Sequence, residues 1–127
     1  MKEIMAIIRM NMVNRTKEAI AKEGYPGITC RRVFGRGKKK LEDTLTEEIL
    51  QGEVEVCHIL GETLSENHRL LPKRLITLMV KDADVSRIVE TIIDVNQTGN
   101  FGDGKIFVLP LDEVIRIRTG ELGEEAI

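Results

Sequence analysis

Tryptophan is missing from this chain, and other aromatic side chains are scarce: one tyrosine and three phenylalanines in 127 residues. Single-stranded bases are bound on aromatic faces, so a stacking platform for nucleic acid is disfavoured. A basic excess is missing as well. The formal net charge is −2, whereas domains that grip phosphate backbones carry surplus Lys and Arg. Cysteine is limited to Cys30 and Cys57, which form no metal-type cluster and read equally as buried thiols. Long apolar runs are absent, which leaves no candidate membrane span. At the start, Glu3, Arg9 and Arg15 interrupt any apolar stretch, so no signal peptide is read there. What is present is 42% hydrophobic and 31% charged residues, the balance of one soluble, cytoplasmic domain with a real core.

The periodicities define an order. Residues 4–9 form a short apolar run suited to a buried strand. Residues 13–23 change to a helical period, with Val13, Thr16, Ala19 and Ile20 on one face and Gly24 placed as a C-cap. Residues 28–34 read as a second strand, and from Gly35 to about Leu71 no strong period persists. A third strand spans 74–81. Asp82 or Asp84 is placed to cap the next helix, whose stripe runs through Val85, Ile88, Val89, Ile92 and Val95. Ile106–Leu109 gives a fourth strand. Residues 114–118 alternate strictly, which predicts an extra strand with Arg116 and Arg118 on one face. The order β-α-β, long loop, β-α-β predicts an α+β, ferredoxin-like split arrangement, without a convincing sequence repeat between its halves.

Three clusters carry candidate chemistry. Gly35-Arg36-Gly37-Lys38-Lys39-Lys40 follows a predicted strand, and Gly102-Asp103-Gly104-Lys105 precedes one. Glycines let successive N–H groups curl into an anion nest, and neighbouring cations add charge-assisted bonds to phosphate. The third cluster is Arg116 with Arg118, whose guanidinium groups repel unless an anion lies between them. Taken singly, each cluster reads as a turn or a solvated charged surface. Three in one small domain are better explained by a shared polyphosphate site.

The segment Thr98-Gly99-Asn100-Phe101-Gly102-Asp103-Gly104-Lys105-Ile106-Phe107-Val108 resembles the C-terminal signature of PII signal-transduction proteins. Val114-Ile115-Arg116-Ile117-Arg118-Thr119-Gly120-Glu121 resembles that family's ending. Ala6-Ile7-Ile8-Arg9, Gly27-Ile28-Thr29 and Gly35-Arg36-Gly37-Lys38 fit its first half. The likeness covers residues 1–40 and 72–121. It implies a single domain over 1–127 that assembles as a trimer, binds ATP or ADP between subunits, and catalyses nothing. By matching position, Gly35, Arg36, Gly37 and Lys38 should line the nucleotide site. Gly102, Asp103, Gly104 and Lys105 should approach the phosphates, with Ile7 and Met79 near the base. Gly27, Ile28, Thr29, Arg116 and Arg118 should close the site, the two arginines coming from the neighbouring subunit.

The resemblance also implies 2-oxoglutarate as a second ligand, with Gly37, Lys39, Lys40 and Lys73 as its candidate contacts. Lys39 departs from the family, standing where most members have the glutamine that helps to hold Mg²⁺. An ammonium has donors and no acceptor, so it cannot ligate a metal; it is instead placed to attract the oxoacid or a γ-phosphate. Thr77 replaces an acidic residue usual near the adenine.

Between about Gly37 and Pro72 lies the counterpart of the family's T-loop, longer than usual and segregated in charge. Residues 31–40 hold six basic side chains, while 41–66 hold eight acidic ones and no Lys or Arg. Apolar residues such as Leu45, Ile49, Val54, Val56 and Ile59 make it more than a solvating segment, and a recognition loop that orders on a partner is expected. Cys57, His58 and His68 lack a clear fourth ligand for a metal. The only tyrosine, Tyr25, lies outside the loop, which excludes uridylylation of a loop tyrosine.

This loop, the Gly-Arg-Gly-Lys opening and Lys39 are similar to the PII-like regulators associated with nitrogenase in methanogenic archaea, in particular to the second, longer-looped paralogue. Dinitrogenase is then the expected target, with a paralogue as a further candidate partner. A PII regulator of an ammonium channel is the alternative, disfavoured because residues 41–68 contain no arginine. A small nucleotide-hydrolysing enzyme is a third reading, but no base-and-nucleophile pair supports it. An RNA-binding ferredoxin-like module is disfavoured by charge and missing aromatics.

Overall fold

The computed structural model describes residues 1–37 and 70–127. Four strands, β1 (Lys2–Ile8), β2 (Thr29–Gly35), β3 (Leu71–Val80) and β4 (Lys105–Pro110), form one sheet in the order β2-β3-β1-β4. Every pairing is antiparallel, with Ile4 opposite both Leu78 and Val108. Two helices, α1 (Val13–Lys22) and α2 (Val85–Asn96), follow β1 and β3, each entered through a 3-10 turn. The α+β, ferredoxin-like order expected above is the one observed.

Strand alternation decides which face is the core. Ile4, Ala6 and Ile8 of β1 and Ile76, Leu78 and Val80 of β3 point one way and are buried against Ile20, Ile88 and Ile92 of the helices. Each such aliphatic side chain contributes about 1.5–3 kcal/mol by leaving water. The opposite face carries Met5, Ile7, Leu75, Met79, Phe107 and Leu109, and neither helix lies over it. Phe107 remains 45% exposed there.

Local chemistry sets the helix ends. Gly24 adopts φ +93°, its N–H bonds the Ala21 carbonyl at 3.0 Å, and the Tyr25 N–H reaches back to Ile20 at 3.2 Å. This is a Schellman motif, which satisfies carbonyls that a helix end leaves orphaned. Asp84 occupies the N-cap position of α2 but makes no capping bond. Its carboxylate instead accepts the Tyr25 hydroxyl and an Arg87 N–H at 2.8 Å. The Tyr25 bond, followed by the one from Arg87, holds this carboxyl below its usual range.

Strand β3 begins at Leu71, earlier than the periodicity at 74–81 suggested. Pairing of Phe34 with Pro72 and of Gly35 with Leu71 extends it, and Pro72 lies beyond the β1 pairing, which ends at Ile8 and Arg74. On that side its missing N–H breaks no ladder. The larger difference is at 114–118. No strand forms; Ile115 makes one isolated bridge to Leu122, and the chain turns at Ile117–Thr119. The Gly120 N–H closes that turn on the Arg116 carbonyl at 2.7 Å, with φ +71° at Gly120.

One polar contact sits inside the helical layer. Asn96 Nδ2 donates to Thr16 Oγ1 at 3.0 Å, and the Thr16 hydroxyl donates to the Met12 carbonyl at 2.7 Å. Both residues are buried. Thr16→Val keeps the shape but leaves one amide N–H of Asn96 without its acceptor, the Ile92 carbonyl at 2.9 Å still holding the amide nitrogen. Urea unfolding is expected to show a loss of about 1–2 kcal/mol; an unchanged midpoint would mean that Asn96 finds another partner.

Candidate functional site

At one end of the sheet, β4 is entered through a loop that starts after α2. Asp103 organises it. Its Oδ1 accepts Arg9 Nη1 at 2.7 Å and the Thr98 hydroxyl, while Oδ2 accepts the Thr98 N–H at 2.8 Å and the Gly99 N–H at 3.0 Å. Burial pushes the Asp103 pKa up, but these bonds outweigh it and hold the carboxyl well below the usual range. Both oxygens are therefore engaged within the loop and with Arg9. Asp103 shapes the loop, and an anion near it would meet the neighbouring N–H groups and cations.

Two further contacts pin this loop to the sheet. Arg9 Nη2 donates to the Phe101 carbonyl at 3.3 Å, and Lys73 Nζ donates to the Gly102 carbonyl at 3.1 Å. Gly104, at φ +115°, passes so close to β1 that a Cβ there would sit 1.9 Å from the Ile7 carbonyl oxygen. Only glycine permits that approach. Lys105 then pairs with Ile7 in the sheet. Gly35 pairs with Leu71, two positions before Lys73 on β3, and Arg36 and Gly37 follow it. Ile7, Gly35, Arg36, Gly37, Lys73 and Gly102–Lys105 thus share one end of the molecule. Lys38, Lys39 and Lys40 lie outside the described residues, as do Cys57, His58 and His68.

Gly27, Ile28, Thr29 and Met79 lie at the other end. Six residue steps along β2 separate Thr29 from Gly35, roughly 20 Å along an extended strand. Met79 stands opposite Glu3, four positions along β1 from Ile7, so the two do not meet within one chain. Gly27 and Met79 instead line a cavity of about 530 Å³ with Tyr25, Lys81, Val114 and Ile127. Its wall is held by Arg87, which bonds Asp84, the Glu23 carboxylate and, at 3.0 Å, the Glu23 carbonyl.

Arg116 is tied to this second end through Glu125, next to the cavity residues Ala126 and Ile127, and it does not share a strand face with Arg118. Arg116 Nη1 pairs with the Glu121 carboxylate, Nη2 donates to the Glu125 carbonyl at 2.9 Å, and the Arg116 N–H bonds the Glu121 carbonyl at 2.9 Å. Glu121 also accepts the Thr119 hydroxyl at 3.0 Å. Arg118 makes no ion pair among the described residues. Arg9, Thr98 and Glu121 stood inside the motifs quoted from the sequence but were given no role in the site. The signals were an arginine one residue beyond an apolar strand, and hydroxyl and carboxylate residues spaced to close turns. Among the described residues no group of three or more His, Cys, Asp or Glu is arranged to hold a metal ion, and no helix is long and apolar enough to cross a membrane.

Residues 1–121 match the family model described as "Nitrogen regulatory protein P-II". The chain belongs to the P-II family. This P-II protein is 47% identical over 130 residues to the "Nitrogen fixation nifHD region GlnB-like protein 2" of Methanobacterium ivanovii, an alignment covering all of this chain and 99% of that one. It is 42% identical over 132 residues to the "Nitrogen regulatory protein P-II 2" of Methanothermobacter thermautotrophicus strain Delta H, covering all of this chain and 97% of the relative. Among solved structures, Arabidopsis thaliana PII bound to citrate is similar at a TM-score of 0.71 and 32% identity, covering 99% of this chain and 91% of that one. The loop built on Asp103 and the turn closed by Gly120 fall inside the segment matched to the P-II family.

Proposed function

We propose that this P-II protein is a non-enzymatic sensor that binds ATP or ADP in clefts between the subunits of a trimer and reports on nitrogen status to a partner protein. One observation carries the reading. The residues expected to hold the nucleotide fall into two sets at opposite ends of the sheet, each incomplete alone. The first set offers glycine N–H groups and cations for phosphates; the second offers the Gly27–Thr29 segment and Met79, with Arg118 proposed to join them. They complete one site only when the first end of one chain meets the second end of another. Such a head-to-tail contact is heterologous, and with a rotation of a third of a turn between neighbours it closes into the proposed trimer. The sheet face that neither α1 nor α2 covers, with Phe107 45% and Leu109 36% exposed, is apolar enough to supply the subunit contact. Citrate in the name of the Arabidopsis relative supports a fold that accepts small polycarboxylates, the class to which 2-oxoglutarate belongs.

Lys73 is placed to couple the ligands. Its ammonium now holds the Gly102 carbonyl, so an oxoacid carboxylate that recruits it acts on the phosphate loop as well. Ligand binding then biases the segment between β2 and β3, provided that one loop state is bound more tightly than the other. The nifHD-region name of the Methanobacterium relative favours dinitrogenase as the partner over an ammonium channel.

Calorimetric titration with ATP, with and without 2-oxoglutarate and Mg²⁺, tests the reading. ATP binding tightened by the oxoacid supports a combined energy and nitrogen sensor. Binding indifferent to it leaves a nucleotide sensor alone, and no binding overturns the site. Arg118→Ala should weaken ATP binding about tenfold, the loss of one charge-assisted contact, while light scattering still reports the trimer. Unchanged affinity would remove Arg118 from the site.

A further inference from the structure

The guanidinium of Arg116, expected to meet phosphate, is already occupied inside its own chain. Its Nη1 pairs with Glu121, and its Nη2 holds the Glu125 carbonyl at 2.9 Å. The pair is part-exposed, at 33% for the arginine and 42% for the carboxylate, so a solute anion can reach it. Glu121 is held in place by the Thr119 hydroxyl at 3.0 Å and by the backbone bond from Arg116 N–H to its carbonyl. Arg118, two residues on, carries no such partner among the described residues.

We infer that Glu121 is a built-in stand-in for phosphate at Arg116, and that it sets how tightly the protein binds polyphosphate anions. The inference rests on the nucleotide reading above and adds the competitor within that site. An arriving polyphosphate meets Arg118 directly and must displace the Glu121 carboxylate to gain Arg116. Without that carboxylate Arg116 would present an uncompensated charge, and anions would bind more tightly at all times.

The exchange has a mechanical consequence. Arg116 also ties down the last 3-10 turn (Gly123–Ala126) through Glu125, and Ala126 and Ile127 line the cavity that contains Gly27 and Met79. If Arg116 turns fully to a phosphate, this tie is lost, while the Gly123 N–H, bonded to the Val114 carbonyl and the Glu113 carboxylate at 2.9 Å each, still anchors the start of the turn.

The test is calorimetric ATP titration of the full chain as wild type, Glu121→Gln, Arg116→Gln, the double variant, and Glu124→Gln. Glu124 offers the same charge change nearby, and its carboxylate makes no hydrogen bond or ion pair among the described residues. Glu121→Gln is expected to tighten ATP binding about threefold to fivefold, the scale of a part-exposed ion pair. That gain should vanish in the Arg116→Gln background, and Glu124→Gln should stay within about twofold of wild type. Wild-type binding with no gain in Glu121→Gln, or a gain that persists without Arg116, overturns the inference while leaving the nucleotide reading intact. If neither wild type nor any variant binds ATP, the nucleotide reading falls and takes the inference with it.

Discussion

Gly104→Ala should destabilise the protein by about 3 kcal/mol and weaken ATP binding about a hundredfold, the former from strain at a glycine-only conformation plus a clash. A Cβ at this position would lie 1.9 Å from the Ile7 carbonyl oxygen, 3.0 Å from the Ile7 carbonyl carbon and 3.4 Å from Ile8 Cα. All three are backbone atoms of a paired strand, so none can swing aside as a side chain would. A φ of +115° adds strain for any residue with a Cβ. Relief requires the start of β4 to lift from β1, which breaks the Ile7–Lys105 pairing first and carries Gly102 away from Lys73. The core under Ile4, Ile76 and Ile88 is farther along the sheet, so the variant should still fold. Gly35→Ala is the control: among the described residues nothing lies within 4 Å of its Cβ position, and its stability should stay within about 0.5 kcal/mol of wild type. Urea unfolding and ATP titration of both variants decide the matter. Wild-type values for Gly104→Ala would show that the loop does not need its close seat on β1.

That seat illustrates what a linear reading can and cannot see. The apolar run at 4–9 and the helical spacing of Ile88 and Ile92 are properties of neighbours in the chain, so these strands and helices were legible in advance, whereas the side of β1 that faces the core was not. The glycine at 24 was legible for the same reason, since a helix end needs a residue that tolerates positive φ. Glycines at 102 and 104 could be marked as an anion loop, because flexibility beside a cation has a recognisable composition. The reason for Gly104 could not be marked: the obstructing atom belongs to Ile7, and only the sheet brings the two together.

The same limit explains the other differences. Strict alternation at 114–118 predicted a strand with two adjacent arginines, yet no neighbouring strand supplies a ladder there. Gly120 instead permits a turn, and Glu121 returns to neutralise Arg116. A local pattern was overridden by a local partner five residues away. Asp84 looked like a helix cap, but a tyrosine 59 positions earlier in the chain claims its carboxylate. The division of the candidate ligand residues between two ends of the sheet was invisible in sequence, where Gly27 and Gly35 stand close. Extended backbone turns that short interval into the length of a strand.

Asp103→Asn is expected to cost about 2–3 kcal/mol and to lower ATP affinity at least tenfold, because it removes the negative centre on which the glycine loop is wound. The wild-type carboxylate receives only donors: Arg9, the Thr98 hydroxyl and N–H, and the Gly99 N–H. An amide has one acceptor oxygen, and its NH₂ group must face one of these donor pairs. It also removes the negative charge that faces the Arg9 guanidinium, which is 11% exposed. The pH dependence carries a sign that a packing defect would not. In the unfolded chain the Asp103 carboxyl titrates near about 4, and in the folded protein it titrates well below that. Its contribution is therefore complete above the unfolded value and is lost as pH falls toward the folded one. Wild type should lose stability on acidification through this range, and Asp103→Asn should lose less, so the gap between them narrows as pH drops. Stability curves in urea from pH 7 to pH 3 measure that gap. A gap that stays constant would assign the Asp103 effect to shape alone, whereas a narrowing gap accompanied by weakened ATP binding at pH 7 would identify the charge of Asp103 as what holds the loop ready for phosphate.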